Sequence, residues 1–310
     1  MTMHTSAAAI VSTTSGEVAS RYGRWHQAES VVCWASGSKV FLAALARSLV
    51  TEGALAWDTR VGDVLGVPAP DHLTLAALVE HRSGLPRALP EQKPTLPDPY
   101  AGWTTERFDA RVLANLTDLA PEPAPTASYS NVGYAVLART LEVSQGREWI
   151  DLVRARVVEP LGVPGDAVLL APPVASPTAG ASTPPDGRTA VGPRSLRGRP
   201  VADWDVSTGP FAAAGGLCST LPDMARILRA ALDAASPLAP GDGPHAWSNT
   251  GSRAWHAGAL FRTGSLLVVD TSTGAVGAAH AAGGLPGHGE RYAQKALGSL
   301  VEATAAAGRG

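Results

Sequence analysis

Apolar residues at Val40, Leu42, Leu45, Leu49 and Val50 recur at the spacing that gives a helix one broad buried face. Glu52-Gly53 ends that helix, since glycine takes the left-handed conformation of a helix stop without steric cost. A second helix is predicted over 74–81, with Leu75, Leu78 and Val79 inward, closed by Ser83-Gly84-Leu85-Pro86. Helical spacing returns near 105–119, 132–145 and 147–158, and over 221–235, which opens at Pro222-Asp223. The two ends of the chain read differently. Strands are predicted at 8–12 and 17–22 about a turn at Ser15-Gly16. Two more fall at 255–260 and 265–270, joined by Arg262-Thr263-Gly264, with a third at 276–280 and a closing helix over 290–306. The Pro-rich stretch 86–99 has no period, and 171–200 turns to Pro, Gly, Ser and Thr over a length typical of a lid or a mobile connector. Strands at both ends of a helical middle predict an α+β architecture, an antiparallel sheet flanked by helices. The expected division is a discontinuous sheet domain from 1–60 and 201–310, with a mostly helical insertion over 61–200. No internal repeat interrupts this plan.

Composition narrows the classes. The chain has 310 residues, 45% hydrophobic and 17% charged, which is enough apolar side chain for a large core and excludes disorder throughout. A net charge of −2 with no Lys/Arg block argues against nucleic acid or a membrane surface as partner. The apolar runs fall far short of a membrane span. Cys33 and Cys218 make neither a disulfide framework nor a Cys-rich metal cluster; they are expected as free thiols unless the fold brings them together. The first twenty residues carry neither a cationic segment nor a sufficient apolar run for export, so a cytoplasmic location is expected. Only Lys39, Lys93 and Lys295 are lysines in a chain rich in arginine, so each lysine invites attention.

Lys39 belongs to the strongest local signal, Ser36-Gly37-Ser38-Lys39 at the start of the long helix. Residues three apart share a helical face, so hydroxyl and amine can meet, and the helix N-terminus favours a developing oxyanion. An N-cap serine followed by a surface lysine is the ordinary reading of the same four residues. Apolar neighbours on both sides, Cys33-Trp34-Ala35 and Val40-Phe41-Leu42, point instead to a desolvated amine. Freeing an ordinary lysine of its proton at pH 7 costs roughly 4.6 kcal/mol, and burial removes much of that cost. Tyr129-Ser130-Asn131 offers a phenol to relay a proton and an amide to hold a substrate carbonyl, although a Ser/Asn helix cap explains it equally. Trp255-His256-Ala257-Gly258-Ala259 offers a strand on which glycine admits a substrate, and whose next N–H can complete an oxyanion hole; a lone strand histidine is more often structural. There is no Gly-x-Ser-x-Gly elbow, phosphate loop or His-Glu-x-x-His helix. The glycine-rich run Gly284 to Gly289 has the wrong spacing and a proline for a dinucleotide site. His280 and His288 are spare metal candidates without a carboxylate companion, and no metal or cofactor is expected.

Taken in order, the three fragments resemble the serine β-lactamase and penicillin-binding-protein superfamily, in its class C and esterase-like branch. Residues 36–64 look like that family's nucleophile helix and the segment after it, and 74–86, ending His81-Arg82-Ser83-Gly84-Leu85-Pro86, are similar to its next helix and turn. Residues 129–137 match its Tyr-Ser-Asn helix start, and Glu159-Pro160-Leu161-Gly162 its Pro-Leu-Gly turn. Ala214-Gly215-Gly216-Leu217, Ser219-Thr220 and Asp223-Met224-Ala225-Arg226 resemble a further stretch of it, so the likeness spans roughly 8–300. The resemblance implies a β-lactamase-like fold and acyl transfer through serine. Ser36 would be the nucleophile, Lys39 its base and Tyr129 a proton-transfer partner. Asn131 would position substrate and lysine, the N–H groups of Ser36 and Ala259 would form the oxyanion hole, and His256 and Gly258 would line the strand edge.

Two departures shape the expected function. His256 stands where β-lactamases and peptidases carry a lysine, which removes a cation able to hold a substrate carboxylate. Ala278-Ala279-His280-Ala281-Ala282 replaces the usual apolar last strand. Without an export signal, cell-wall peptides and periplasmic antibiotics are poor substrate candidates. The expected activity is that of an esterase or amidase on a small-molecule ester, thioester or amide. A transacylase passing the acyl group to an amine or alcohol is the alternative. Two further readings are a non-catalytic binding protein on the same fold and, more remotely, a metal-dependent hydrolase using His256, His280 and His288. Oligomeric state is not legible.

Overall fold

All eight residues of the first strand, Thr5–Ser12 (β1), are buried, although the strand begins a chain with little apolar bulk there. The reason is its place in the sheet. In the computed structural model, which describes residues 5–14, 16, 18–93, 98–171, 190–201, 203–285 and 287–307, β1 lies between two neighbours and is covered on both faces.

The strands that follow are Val18–Arg21 (β2), Val31–Cys33 (β3), Leu169–Leu170 (β4), Ala190–Val191 (β5), Leu217–Ser219 (β6), Ser248–Thr250 (β7), Arg253–Ala259 (β8), Thr263–Asp270 (β9) and Ala275–Gly283 (β10). The helices are Ser38–Thr51 (α1), Val61–Leu65 (α2), Leu75–Val79 (α3), Thr105–Arg111 (α4), Leu116–Leu119 (α5), Asn131–Gln145 (α6), Trp149–Val153 (α7), Ala212–Gly215 (α8), Leu221–Arg229 (α9) and Gly289–Ala307 (α10). A six-stranded antiparallel sheet runs β2-β1-β10-β9-β8-β7, and a small mixed sheet runs β4-β6-β3-β5. This is an α+β fold, as the sequence predicts.

Period-two alternation divides the large sheet between two cores. Ala8 and Ile10 of β1, Leu267 and Val269 of β9, and Ala278 of β10 face the main core with α1 and α9. Ala7, Ala9, Leu266, Ala279 and Ala281 face Ala293, Leu297 and Leu300 of α10. The alanines of β10 thus do the work of larger side chains by letting the helix come close. A Cβ on Gly277 would lie 2.9 Å from Leu297 Cδ1.

The short strands β3, β4, β6 and β7 lie outside the strands expected from the pattern, because two or three residues carry no period. They nonetheless matter: β3 delivers the chain to α1, and β6 pairs with it antiparallel, Cys33 opposite Cys218. Both thiols are free. The stretch expected as a helix over 105–119 divides into α4, a 3-10 turn at Leu113–Asn115, and α5. The helix expected over 221–235 ends at Arg229, with a 3-10 turn at Ala230–Leu232 after it. The lid or connector expected over 171–200 lies mostly outside the described residues. Its described end, β5, pairs parallel with β3.

Candidate active site

The turn from β3 into α1 is built to present one side chain. Trp34 N–H donates to Leu217 O at 2.9 Å, continuing the β3–β6 ladder. Ala35 then takes φ 48°, a left-handed conformation costly for a residue with a Cβ, and a 3-10 turn at Ala35–Gly37 carries Ser36. Ser38 clamps the turn, donating to Ala35 O at 2.7 Å and accepting from Leu217 N–H at 2.9 Å. On the other side lies β8. A Cβ on Gly258 would fall 2.4 Å from Trp34 O and 2.9 Å from Ala35 Cβ, so only glycine lets the strand lie against the nucleophile turn. Ser265 Oγ, on β9, donates to the same Trp34 carbonyl at 2.6 Å.

Lys39, one turn into α1, is fully buried. Its Nζ lies 3.3 Å from Ser36 Oγ and donates to Ala214 O at 2.6 Å. The Tyr129 and Tyr134 rings lie 4.9 and 5.4 Å from it, and no carboxylate pairs with it among the described residues. Burial, with the Arg87 charge in support, pushes this amine well below the ordinary lysine range. A neutral amine beside a serine hydroxyl can take its proton.

Tyr129 reaches the serine from just before α6. Ser130 caps that helix by accepting Gly133 N–H at 2.7 Å, and donates to Pro86 O at 2.7 Å. The cap fixes where Tyr129 leaves the backbone, and its phenol donates to Ser36 Oγ at 2.6 Å. Burial raises this phenol, while the Ser36 bond and the Arg87 charge oppose the rise. The ring is held between His81, with centroids 4.6 Å apart, and the Arg87 guanidinium, 4.9 Å from the centroid. His81 has φ 59°, and its Nδ1 accepts Ser130 N–H at 3.1 Å. Burial, then the Lys39, His256 and Arg87 charges, push it down to about 3, so the ring is neutral.

The remaining expected residues divide. Ala259, at the exposed end of β8, lines one cavity with Ser36, Tyr129 and Asn131. Asn131 donates through Nδ2 to Tyr100 OH at 3.3 Å, whereas the lysine it was expected to position is tethered to Ala214. His256 is buried on β8; its Nδ1–H donates to Ala246 O at 2.7 Å. Burial and the Lys39 charge push it down to about 4, so it carries no positive charge at neutral pH. His256, His280 and His288 do not converge: His280 bonds His26 at 3.0 Å and His288 stacks on Tyr292. Among the described residues no group of three or more His, Cys, Asp or Glu side chains is arranged to hold a metal ion.

The cavity over Ser36 encloses about 170 Å³. Tyr100, Trp204, Phe211, Val206 and Leu260 give it an apolar, largely aromatic wall, the kind of surface that holds small organic ligands. Gln92 also lines the cavity, as does Arg87, whose guanidinium lies over the Tyr129 ring. Sequence reasoning did not single out Ala214, His81, Arg87, Gln92 or Tyr100 as site residues. Ala214 and His81 lie in the family-like stretches, which is the one signal available for them.

The chain is similar to known proteins along most of its length. The family described as Beta-lactamase matches residues 2–296. Penicillin-binding protein 4 of Amycolatopsis lactamdurans is 31% identical over 219 residues, which is 66% of this chain and 51% of that protein. The chain therefore spans about half the length of that curated relative. The D-amino acid amidase of Ochrobactrum anthropi SV3, solved with L-phenylalanine amide, has a TM-score of 0.73 at 20% identity, covering 97% of this chain and 94% of the other. A beta-lactamase/D-alanine carboxypeptidase of Yersinia pestis, solved with citrate, has a TM-score of 0.66 at 17% identity, over 96% and 92%. At these identities the two structures establish a shared fold.

Proposed function

The chain belongs to the beta-lactamase family, and from that membership we propose that it is a serine acyl hydrolase opening a small-molecule ester, thioester or amide through an acyl-serine. The observation that carries the reading is the pair of contacts on Ser36 Oγ, 2.6 Å from the Tyr129 phenol and 3.3 Å from a fully buried Lys39 amine.

The steps follow from those contacts. Ser36 Oγ attacks the carbonyl carbon as its proton passes to Lys39 Nζ. The carbonyl oxygen gains the charge and turns toward the N–H groups of Ser36 and Ala259. As the carbon–heteroatom bond breaks, Tyr129 donates its phenolic proton to the leaving group and recovers one from the Lys39 ammonium. Water then repeats the sequence on the acyl-serine, with Lys39 again the base, and releases the acid. Neutral His256 and the apolar wall favour acyl groups held by packing. The amidase with the shared fold makes a D-amino acid amide a sensible first amide to try. No described helix is long and apolar enough to cross a membrane, and the proposal places the reaction in the cytoplasm.

The test is intact-mass spectrometry after mixing with short-chain p-nitrophenyl esters, with Ser36→Ala in parallel and with or without an added amine. A Ser36-dependent acyl adduct or turnover is the expected result. A new amide formed in the presence of amine would assign the acyl group to transfer instead of hydrolysis. Absence of any adduct or turnover across esters, thioesters and amides would overturn the reading in favour of a non-catalytic binding protein.

A further inference from the structure

We propose that Cys33 and Cys218 form an oxidant-sensitive dithiol: a hydroperoxide closes them into a disulfide across β3 and β6, and that bond slows acylation at Ser36. The part concerning acylation rests on the function proposed above; the disulfide does not.

The two cysteines stand opposite each other in the antiparallel pairing of β3 with β6. One residue further on, Trp34 N–H donates to Leu217 O, which makes Cys33 and Cys218 a pair without backbone hydrogen bonds of its own. Such pairs bring their Cα atoms to about 4.5 Å, inside the range of roughly 4.4–6.8 Å that a disulfide spans. Cross-strand partners project from the same face of a sheet. Here both thiols turn to consecutive carbonyls: Cys33 Sγ donates to Gly215 O at 3.3 Å and Cys218 Sγ to Gly216 O at 3.7 Å. The chain has no third cysteine to compete for either.

Their surroundings give the two thiols different parts. Cys33 is partly exposed, against the apolar cluster of Ala35, Val206 and Leu260, whereas Cys218 is 1% exposed. Burial, then the neighbouring Cys33 thiol, push Cys218 well above the usual thiol range, so it stays protonated and sheltered. Cys33 is therefore the thiol that meets the oxidant. Its sulfur takes one oxygen from the hydroperoxide to become a sulfenic acid, and water, or the alcohol of an organic peroxide, leaves. Cys218 Sγ then attacks that sulfur. The S–S bond forms, the S–O bond breaks, and the hydroxyl departs as water with the Cys218 proton. Each sulfur has given up one electron, and the peroxide has gained both. In a reducing compartment the open dithiol is the resting state and the disulfide a transient response.

The position of the bond gives it a consequence for the serine. β3 runs into the turn that carries Ser36, and β6 follows α8, whose Ala214 carbonyl holds Lys39 Nζ at 2.6 Å. Closing the disulfide takes the Cys33 donor away from Gly215 O, the carbonyl next to that tether, and ties the nucleophile's strand to the strand after the tether. A Cβ on Gly216 would fall 2.1 Å from Val206 O, so the backbone between Ala214 and Cys218 has little room to absorb the change.

The experiment treats the reduced full chain with hydrogen peroxide and removes the excess with catalase. Intact mass, a non-reducing peptide map and acylation by p-nitrophenyl acetate are then compared before and after dithiothreitol. The expected result is a loss of two hydrogens, a peptide joining Cys33 to Cys218, and acylation lowered about tenfold and restored by the reductant, since a small misplacement of reacting groups is enough for that. Cys33→Ser and Cys218→Ala are expected to keep the basal rate and to lose the peroxide effect; Cys33→Ser, at the less buried position, serves if Cys218→Ala does not fold. Sulfinic acid at Cys33 without the joined peptide, or disulfide-linked dimers alone, would overturn the dithiol. A joined peptide with acylation unchanged would overturn the effect on Ser36, as would an equal loss in Cys33→Ser, which places the damage elsewhere. A reduced chain that never acylates counts against the proposed function and removes that effect with it, while the peptide map still decides the disulfide.

Discussion

Lys39 Nζ stands closer to the Ala214 carbonyl, at 2.6 Å, than to the hydroxyl of Ser36, at 3.3 Å. The tether decides how the amine is used. A neutral amine that donates one N–H to Ala214 is held in one rotation, with its lone pair free to face the serine. The Ala212–Gly215 helix is therefore part of the base's support, although none of its side chains is polar.

Replacing Lys39 by methionine keeps the length and apolar stem while removing the base. We expect acylation by p-nitrophenyl acetate to fall by about 10²–10⁴, the usual worth of a positioned general base. Thermal unfolding should shift little or upward, because a buried amine leaves an apolar site. Unchanged acylation would remove Lys39 from the mechanism.

The pH dependence of acylation follows from the direction of the Lys39 shift. A depressed amine is already deprotonated in a range where free lysine is charged, so the rising limb of kcat/KM should lie well below the ordinary lysine range. A limb set at free-lysine pKa would contradict a desolvated base. Tyr129→Phe removes the 2.6 Å contact but leaves the ring between His81 and Arg87. It should slow breakdown of amides more than that of p-nitrophenyl esters, whose leaving group needs no proton. Equal slowing of both would argue against Tyr129 as the proton donor.

Gly258→Ala tests the contact between β8 and the nucleophile turn. The new methyl meets Trp34 O at 2.4 Å, so strand or turn must move. We expect about 1–3 kcal/mol of destabilisation in urea unfolding and loss of most acylation. An unaltered enzyme would show that the two segments are free to separate.

Buried neutral histidines govern acid stability. His26 and His256 are each pushed down to about 4, and His280 well below its usual value, all chiefly by burial. Below pH 6.5 the unfolded chain takes up protons that the folded chain refuses. Their contribution is therefore fully present above pH 6.5 and is lost as pH falls toward about 4, at up to ~1.4 kcal/mol per pH unit for each. Urea midpoints measured between pH 7 and 4.5 should fall steadily, and His26→Asn should flatten the fall. A flat profile in the unaltered chain would mean that these rings are protonated in place.

Ser36 and Lys39 were legible in the sequence because residues three apart meet across one helical turn, here a 3-10 turn that runs into α1, whatever the rest of the chain does. The long helices, β9 and β10 were legible for the same local reason. Tyr129 was readable only as a phenol beside a helix cap: its approach to Ser36 depends on where Ser130 caps α6, and the family resemblance was what joined it to the serine. Arg87 and Ala214 lie beyond local reading, since each owes its role to a partner far along the chain. The charge state of His256 was hidden for a different reason. It is set by burial and by Lys39, which no strand pattern reports.

The pairing of β1 with β10 sets Thr5 opposite Gly283, so the middle of the large sheet joins two segments separated by almost the whole of the fold, the first of them made long before the second. As the chain emerges from the ribosome, β1 has only the short β2 beside it until β10 follows. The helical middle can begin to collapse earlier, but β8 and β9, which wall the nucleophile turn, have no sheet to join before then. Ser36, which precedes them all in the chain, is thus expected to become reactive only after β10 has been made, and the emerging chain carries its nucleophile unarmed until then.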